Sequence, residues 1–345
     1  MNTPLVTILI VTWNSMNYLY DCLQSLSRQT FKNFSIIIID NGSSDGTVEY
    51  VRNNYPTVSV LQNFKNMGFS YANNQGIKLA KSSYVLALNP DIIVNDDFLE
   101  QIIRCADKHP NAGSICGKLF KLSSSRIDTE ISGKGLRTPI KSNILDTAGL
   151  ILLKSRKALN RGEGDNDKEN YQKEIQVFGA SGCCALYRKN ALQDVVIFNE
   201  YFDEDFFTYK EDVDLAWRLR LYGWESWYTP GAVGYHYRGF SSSKEKTTKK
   251  IIESRQKVSK AIRSLSFINH HLMIVKNELL SQFFINFFPI FFYELRVFLY
   301  ILFFESFQIK NLNNIITNIP KMMRKRKIIM SSKKLNAKEM RQWFQ

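Results

Sequence analysis

The sequence predicts an α/β fold, an open, doubly wound mixed sheet over residues 1–240 followed by a helical extension over 241–345. Three observations predict it. Short apolar runs of strand length alternate with helical patterns near the N-terminus. Polar residues suited to turns follow the ends of those runs, which is where open α/β sheets bind ligands. The chain carries a net charge of +14, and the whole excess lies after residue 240, where Lys and Arg outnumber Asp and Glu by 20 to 6. That step in charge marks the boundary between the two parts.

Leu5–Val11 (LVTILIV) reads as a strand buried on both faces, with Thr12 and Asn14 at its end. A helical pattern through Leu19, Leu23 and Leu26 leads to a second buried strand, Phe34–Ile39, that ends on Asp40. A helix over 47–53, a strand over 58–61, a helix over 71–81 and a strand over 84–88 continue the alternation up to Asn89-Pro90-Asp91. Right-handed crossovers bring these strand ends into one crevice. Taken singly, each of them is equally an ordinary turn former. The polar middle, 121–173, contains RGEGDNDK at Arg161–Lys168, which reads as a mobile loop, either a lid or a surface insertion. Val177–Tyr187 holds a small-residue stretch and then a strand, and an acidic aromatic segment follows at Glu200–Tyr209.

Lys210–Trp224 reads as a helix with Glu211, Asp212 and Asp214 in its first turn and Gly223 at its stop. Val213, Ala216, Trp217 and Leu221 form its buried face, which sets Asp212 at a pocket rim. Acids at a helix start also simply complement the helix dipole, so these residues alone leave both readings open. His236 follows a short strand. A strand histidine is commonly structural, but an imidazole beside Asp91 is a plausible pair for Mn²⁺ or Mg²⁺, with phosphate oxygens and water completing the shell. The five cysteines show neither a disulfide framework nor zinc spacing, and the first residues lack the pattern of a secretory signal, so a reducing compartment is expected.

The segments LVTILIVTWNS, IIIIDNGSSDGT, NMGFSYANNQGI, ALNPDIIV, GASGCCALYRKNAL and KEDVDLAWRLRLYGW occur in this order over about residues 4–240. As a set they resemble the family 2 glycosyltransferases of the GT-A (Rossmann-like) fold, and within them the bacterial rhamnosyltransferase-like branch that builds cell-surface polysaccharides. The resemblance implies that Thr12, Asn14 and Asp40 hold the nucleoside, with Asp40 accepting from a pyrimidine N3–H, and that Gly68 and Asn74 line the nucleotide pocket. It places Asn89 and Asp91 where the family carries an Asp-X-Asp metal motif. Only Asp91 supplies a carboxylate there, a departure that shifts weight onto His236 as a ligand of the divalent cation (Mg or Mn). It matches Asp212, in Glu211-Asp212, to the general base, and puts Ser181, Gly182 and Trp217 on the acceptor side. The implied reaction is an inverting transfer, with rhamnose from dTDP-rhamnose as the leading donor and UDP-linked hexose or galactofuranose as competitors. The implied acceptor is a saccharide on polyprenyl diphosphate.

The C-terminal part adds a location. Phe283–Phe304 has 11 Phe or Tyr among its 22 residues, but Asn286, Pro289, Glu294 and Arg296 interrupt it. An apolar face lying in the membrane interface is therefore favoured over a span. Residues 244–263 suggest a further helix, and Lys321–Lys327 (KMMRKRK) supplies a polybasic cluster for anionic lipid. The expected location is cytoplasmic, peripheral on the inner face of the cytoplasmic membrane. A hydrophobic hairpin or homodimer interface is the competing reading of the aromatic segment. Nucleic acid is disfavoured because no recognisable module accompanies the charge. A sugar nucleotidyltransferase is disfavoured because no glycine-rich, basic pyrophosphate loop opens the chain.

Overall fold

The protein is described by a computed structural model over residues 3–124, 139–237, 253 and 255–345. Its first strands are the apolar runs. β1 (Val6–Thr12), β2 (Phe34–Asp40) and β3 (Ser59–Gln62) lie parallel, and β4 (Tyr84–Leu88) pairs in parallel with the other side of β1. The crossovers are α1 (Met16–Ser27), α2 (Thr47–Asn54) and α3 (Phe69–Leu79), each burying its apolar side. Short β5 (Ile92–Val94) and α4 (Phe98–Lys108) follow, then β6 (Ala112–Ser124) and β7 (Pro139–Thr147). A hairpin of β8 (Leu150–Leu152) and β9 (Ala158–Asn160) stands apart. After β10 (Ile175–Gln176), β11 (Cys184–Arg188) runs antiparallel between β4 and β6, and this makes the sheet mixed. The chain then forms α5 (Lys189–Asp194), α6 (Glu211–Leu221) and β12 (Glu225–Tyr237). Among the described residues the sheet has ten strands, with the path β10-β12-β6-β11-β4-β1-β2-β3 and with β5 and β7 attached to β12 and β6.

Two expectations about the middle are corrected. The polar middle, whose pattern predicts no strand, contains β7, β8 and β9, and exposed positions in β7 and β9 break the apolar pattern there. Arg161–Lys168 is a tied turn. The buried Lys118 ammonium reaches Asp167 at 2.9 Å, and the Tyr171 hydroxyl donates to Asp165 at 2.7 Å. His236 lies near the end of a 13-residue strand, not after a short one. Thr229-Pro230-Gly231 falls where the register of β12 shifts against β6, so a break in the pattern is a bulge in one long strand.

The C-terminal part is helical: α7 (Lys260–Asn277), α8 (Leu280–Ile285), α9 (Phe287–Phe304), α10 (Asn311–Ser332) and α11 (Ala337–Arg341). Half of the helix expected over 244–263 lies outside the described residues. Packing is continuous across residue 240. Phe267, Met273, Met322 and Phe344 share one core with Phe202, Val213 and Trp217. The polybasic cluster is only partly free for lipid. Lys325 is 1% exposed and is bound by Glu200, Asp203 and Asp205, and Lys321 binds Asp205. Lys276, fully buried on α7, binds Asp203 and lies 2.8 Å from Asp214 on α6. The acidic aromatic segment is thus the socket for the basic helices. Arg324 and Lys327 remain exposed.

The aromatic run divides at Asn286 into α8 and α9. The latter is long and apolar enough to cross a membrane. Ile290 and Ile301 are its buried residues, whereas Phe288 and Phe303 are 69% and 72% exposed.

Candidate functional site

A cavity of about 620 Å³ opens at the carboxyl end of β4. Its formation follows from the strand pairings. β4 delivers Asn89, whose N–H donates to the Cys183 carbonyl at 2.8 Å, so the end of β4 is stitched to the start of β11. β5 pairs with β12 in a register that sets Ile92 opposite His236, which carries the histidine next to Asp91 from 145 residues away. The Tyr237 N–H then donates to the Asp91 carbonyl at 2.9 Å.

His236 is 5% exposed. Its Nδ1 lies 2.8 Å from Asp146 Oδ2, and its Nε2 lies 3.4 Å from Asp91 Oδ1. Burial works to lower its pKa, but the hydrogen bond to Asp146 and the nearby Asp91 carboxylate prevail and hold it well above the ordinary histidine value. Asp91 Oδ1 is buried with no hydrogen-bond partner among the described residues. An orphaned carboxylate oxygen beside an imidazole nitrogen fits a divalent cation, and Asp146 on Nδ1 is the orienting carboxylate that metal-bound histidines usually have. Asp146 and Cys183, whose ligand atoms cluster with those of His236, were not anticipated. The only signal for Asp146 is that an acid precedes Thr147-Ala148-Gly149, a strand-end pattern like that after β2.

The entry to α6 places the carboxylates. Tyr209 and Lys210 have φ of 70° and 72°, two consecutive left-handed residues that turn the chain into the helix. Asp212 Oδ2 accepts from the Gly182 N–H at 2.9 Å, and Oδ1 accepts from the Val213 N–H at 2.8 Å. A Cβ at Gly182 would stand 3.0 Å from the Cβ of Asp212, so a side chain there would crowd the carboxylate. Glu211 differs from its neighbour. It is buried, its Oε2 lacks a hydrogen-bond partner among the described residues, and burial together with the charge of Asp212 raises its pKa. That environment favours the protonated form of Glu211.

The cavity therefore brings together Asn89, Asp91, Ser181, Gly182, Glu211, Asp212 and His236. It does not include Trp217, which is fully buried against Phe178 and Phe344. Five residues past Asp212, the helical twist carries Trp217 about 140° round α6 and into the core. Asn74 is also internal. Its side chain bonds to the Phe202 backbone at 2.8 and 2.9 Å and to Glu204 at 2.9 Å, strapping α3 to the acidic segment.

The expected nucleoside group lies outside this cavity. Asp40 is fully buried, and its carboxylate accepts from Thr12 Oγ1 at 2.8 Å, Ser43 Oγ at 2.5 Å, the Gly42 N–H at 3.1 Å and the Ser43 N–H at 2.9 Å. Four bonds fill its acceptor sites, so in this conformation it closes the turn after β2 and has no lone pair for a base. Asn14 accepts from the Ser44 N–H at 2.9 Å and braces the same turn. Gly68 has φ of 88°, and a Cβ there would fall 2.6 Å from Phe207. Only glycine admits that contact.

Comparison with known proteins bears on the fold and the family. N-acetylglucosaminyl-diphospho-decaprenol L-rhamnosyltransferase of Mycobacterium tuberculosis is 28% identical over 255 residues, 70% of this chain and 79% of the relative. Poly-beta-1,6-N-acetyl-D-glucosamine synthase of Staphylococcus epidermidis is 29% identical over 231 residues, 66% of this chain but 48% of the relative, so the chain spans about half of that protein. Among solved structures, GalNAc-T7 with UDP, GalNAc and Mn²⁺ superposes with a TM-score of 0.57 at 12% identity, covering 79% of this chain and 49% of that one. A mannosyltransferase from Pyrobaculum calidifontis in complex with GDP-Man and Mn²⁺ gives a TM-score of 0.50 at 15% identity, covering 93% of this chain and 76% of that one. The fold is GT-A. The model described as Glycosyl transferase family 2 matches residues 7–196, more than half of the chain, and the chain belongs to that family.

Proposed function

We propose that this glycosyltransferase moves rhamnose from dTDP-rhamnose, with inversion, to a saccharide carried on polyprenyl diphosphate in cell-surface polysaccharide synthesis. The observation that carries the reading is one cavity holding Asp212, fixed by two backbone N–H groups, together with Asp91 and His236. The choice of sugar and carrier is supported by the mycobacterial relative. UDP-linked hexose or galactofuranose is the competing donor.

Asp212 takes the proton of the acceptor hydroxyl as its oxygen bonds to the anomeric carbon. The bond from that carbon to the diphosphate breaks, and its electron pair leaves with the nucleoside diphosphate. A single displacement inverts the centre. Gly182 and Val213 fix the carboxylate so that no reorientation is needed during the step. Glu211, whose neutral form burial favours, is the less suited of the two to take that proton. Asp91 and His236 would hold Mn²⁺ or Mg²⁺, which when bound offsets the charge that builds on the leaving diphosphate.

Asp91→Ala is expected to abolish the gain in donor affinity that Mn²⁺ gives, measured calorimetrically with the nucleotide sugar a release screen selects. Equal affinity with and without Mn²⁺ in the unmutated protein overturns the metal assignment. Peripheral attachment to the inner face of the cytoplasmic membrane is the reading that the uncovered aromatic face of α9 and exposed Arg324 and Lys327 support. Flotation with phosphatidylglycerol vesicles should recover the protein even in high salt, and replacing Phe288, Phe292 and Phe303 with Ser should lose it. Equal flotation of that variant excludes α9 as the anchor.

A further inference from the structure

A second cavity of about 190 Å³ adjoins the first, and Lys210 and Ser266 line both. Its walls carry Lys157 from the β8–β9 turn, Lys210 at the entry to α6, Arg255, and His270 of α7. Tyr293 and Val297 of α9 close the remaining side. Four basic groups thus converge between the catalytic cavity and the aromatic helix.

Not all of that charge is met. Arg255 pairs with Glu305 at 2.8 Å, and His270 with Glu294 at 3.0 Å. The ammonium of Lys210 has neither a hydrogen bond nor a salt bridge among the described residues. Burial lowers its pKa, Asp212 and Glu211 oppose this, Lys157 adds to it, and the net direction is down. Lys210 is half-buried, and its ammonium, without a hydrogen-bonded partner among the described residues and set near Lys157, favours an anion placed between the two cations.

Three environments occur in sequence here: an apolar helix face open to the outside, a basic side cavity, and the cavity of Asp212. A ligand with an apolar chain, an anionic centre and a saccharide matches all three. The donor's diphosphate is accounted for at Asp91 and His236, away from α9. We propose that the side cavity binds the diphosphate of the lipid-linked acceptor, with the saccharide reaching Asp212 and the polyprenyl chain leaving along α9. This rests on the acceptor reading above.

The test uses the full chain in EDTA, so that no cation draws diphosphate to Asp91. Farnesyl diphosphate, inorganic pyrophosphate and farnesol are titrated into the unmutated protein and into Lys157→Gln and Lys210→Asn, the latter because asparagine tolerates a left-handed backbone. Farnesyl diphosphate should bind tightest to the unmutated protein and about tenfold more weakly to either variant, the loss of one charged hydrogen bond. Farnesol binding should not change. In turnover, KM for a lipid-diphosphate acceptor should rise about tenfold in Lys157→Gln, while KM for an alkyl glycoside without diphosphate and the affinity for donor nucleotide hold. Unchanged farnesyl diphosphate affinity in both variants overturns the site. Pyrophosphate binding as tightly as farnesyl diphosphate makes it a site for free phosphate and overturns the lipid assignment. Weakened donor binding instead assigns the cavity to the donor. If the unmutated protein transfers sugar only to acceptors without a lipid diphosphate, the acceptor reading fails, while the titration still decides the site.

Discussion

Asp212→Asn is expected to lower turnover by about 10²–10⁴-fold, the range that a positioned general base supplies, with donor affinity nearly unchanged. The substitution keeps the shape of the side chain, so the amide oxygen still accepts from the Gly182 or Val213 N–H. What is lost is the capacity to take a proton. Glu211→Gln is the matching control. A side chain whose neutral form burial and Asp212 favour is mimicked by the amide, so its turnover should fall far less. Single-turnover transfer with the donor saturated measures both variants. Comparable transfer by Asp212→Asn removes Asp212 as the base, and a larger loss in Glu211→Gln moves the role to its neighbour.

The second large effect is expected at Asp203. This carboxylate is 3% exposed and joins two buried ammonium groups, Lys276 of α7 and Lys325 of α10. Burial alone would raise its pKa, but the two lysines prevail and hold it below the usual carboxylate range. Asp203→Ala takes one partner from each ammonium, while Asp214 stays with Lys276 and Glu200 and Asp205 stay with Lys325. It should cost about 1–3 kcal/mol, the loss of hydrogen bonds to buried charged groups. The urea midpoint of unfolding reports it. A folded pKa below the unfolded one means that the unfolded chain binds the proton first. The stabilisation is therefore complete above the ordinary Asp value and is lost as pH falls toward the lowered one. Acid unfolding of the unmutated protein should accordingly be steeper than that of Asp203→Ala. A midpoint shift worth less than about 1 kcal/mol would remove Asp203 as the clamp between the two parts.

Much of this was readable in the chain because the signals were local. β1, β2 and β4 are uninterrupted apolar runs, and α6 carries its own start and stop in Glu211-Asp212 and Gly223. Asp91 and His236 were legible as members of one crevice because each stands at or near a strand end in the α/β alternation. What escaped depended on distant pairing. Asp146 matters only because β7 lies beside β6 and reaches the imidazole of His236, a contact across 90 residues. Trp217 has the spacing of a core residue, and its assignment to the acceptor side ignored the direction that spacing imposes. Lys321 and Lys325 look like solvated charges in KMMRKRK, and only the fold shows them seated on Glu200, Asp203 and Asp205. Asp40 shows the opposite case, a residue at the expected place whose bonds are taken up by its own turn.

The shared core and the buried lysines have a mechanical consequence. α6, which carries Asp212, is held to α7 by Lys276 and by Asn277, whose side chain donates to Asp214 at 2.7 Å, and α7 meets α9 through the His270–Glu294 contact. No hinge separates the Asp212 carboxylate from the aromatic helix along that line of contacts. Any surface on which α9 rests therefore meets the mouth of the site at one set height and tilt. For an acceptor tethered as proposed, the molecule would act as a gauge, and the acceptor's length, as much as its chemistry, would decide whether its free hydroxyl arrives at Asp212.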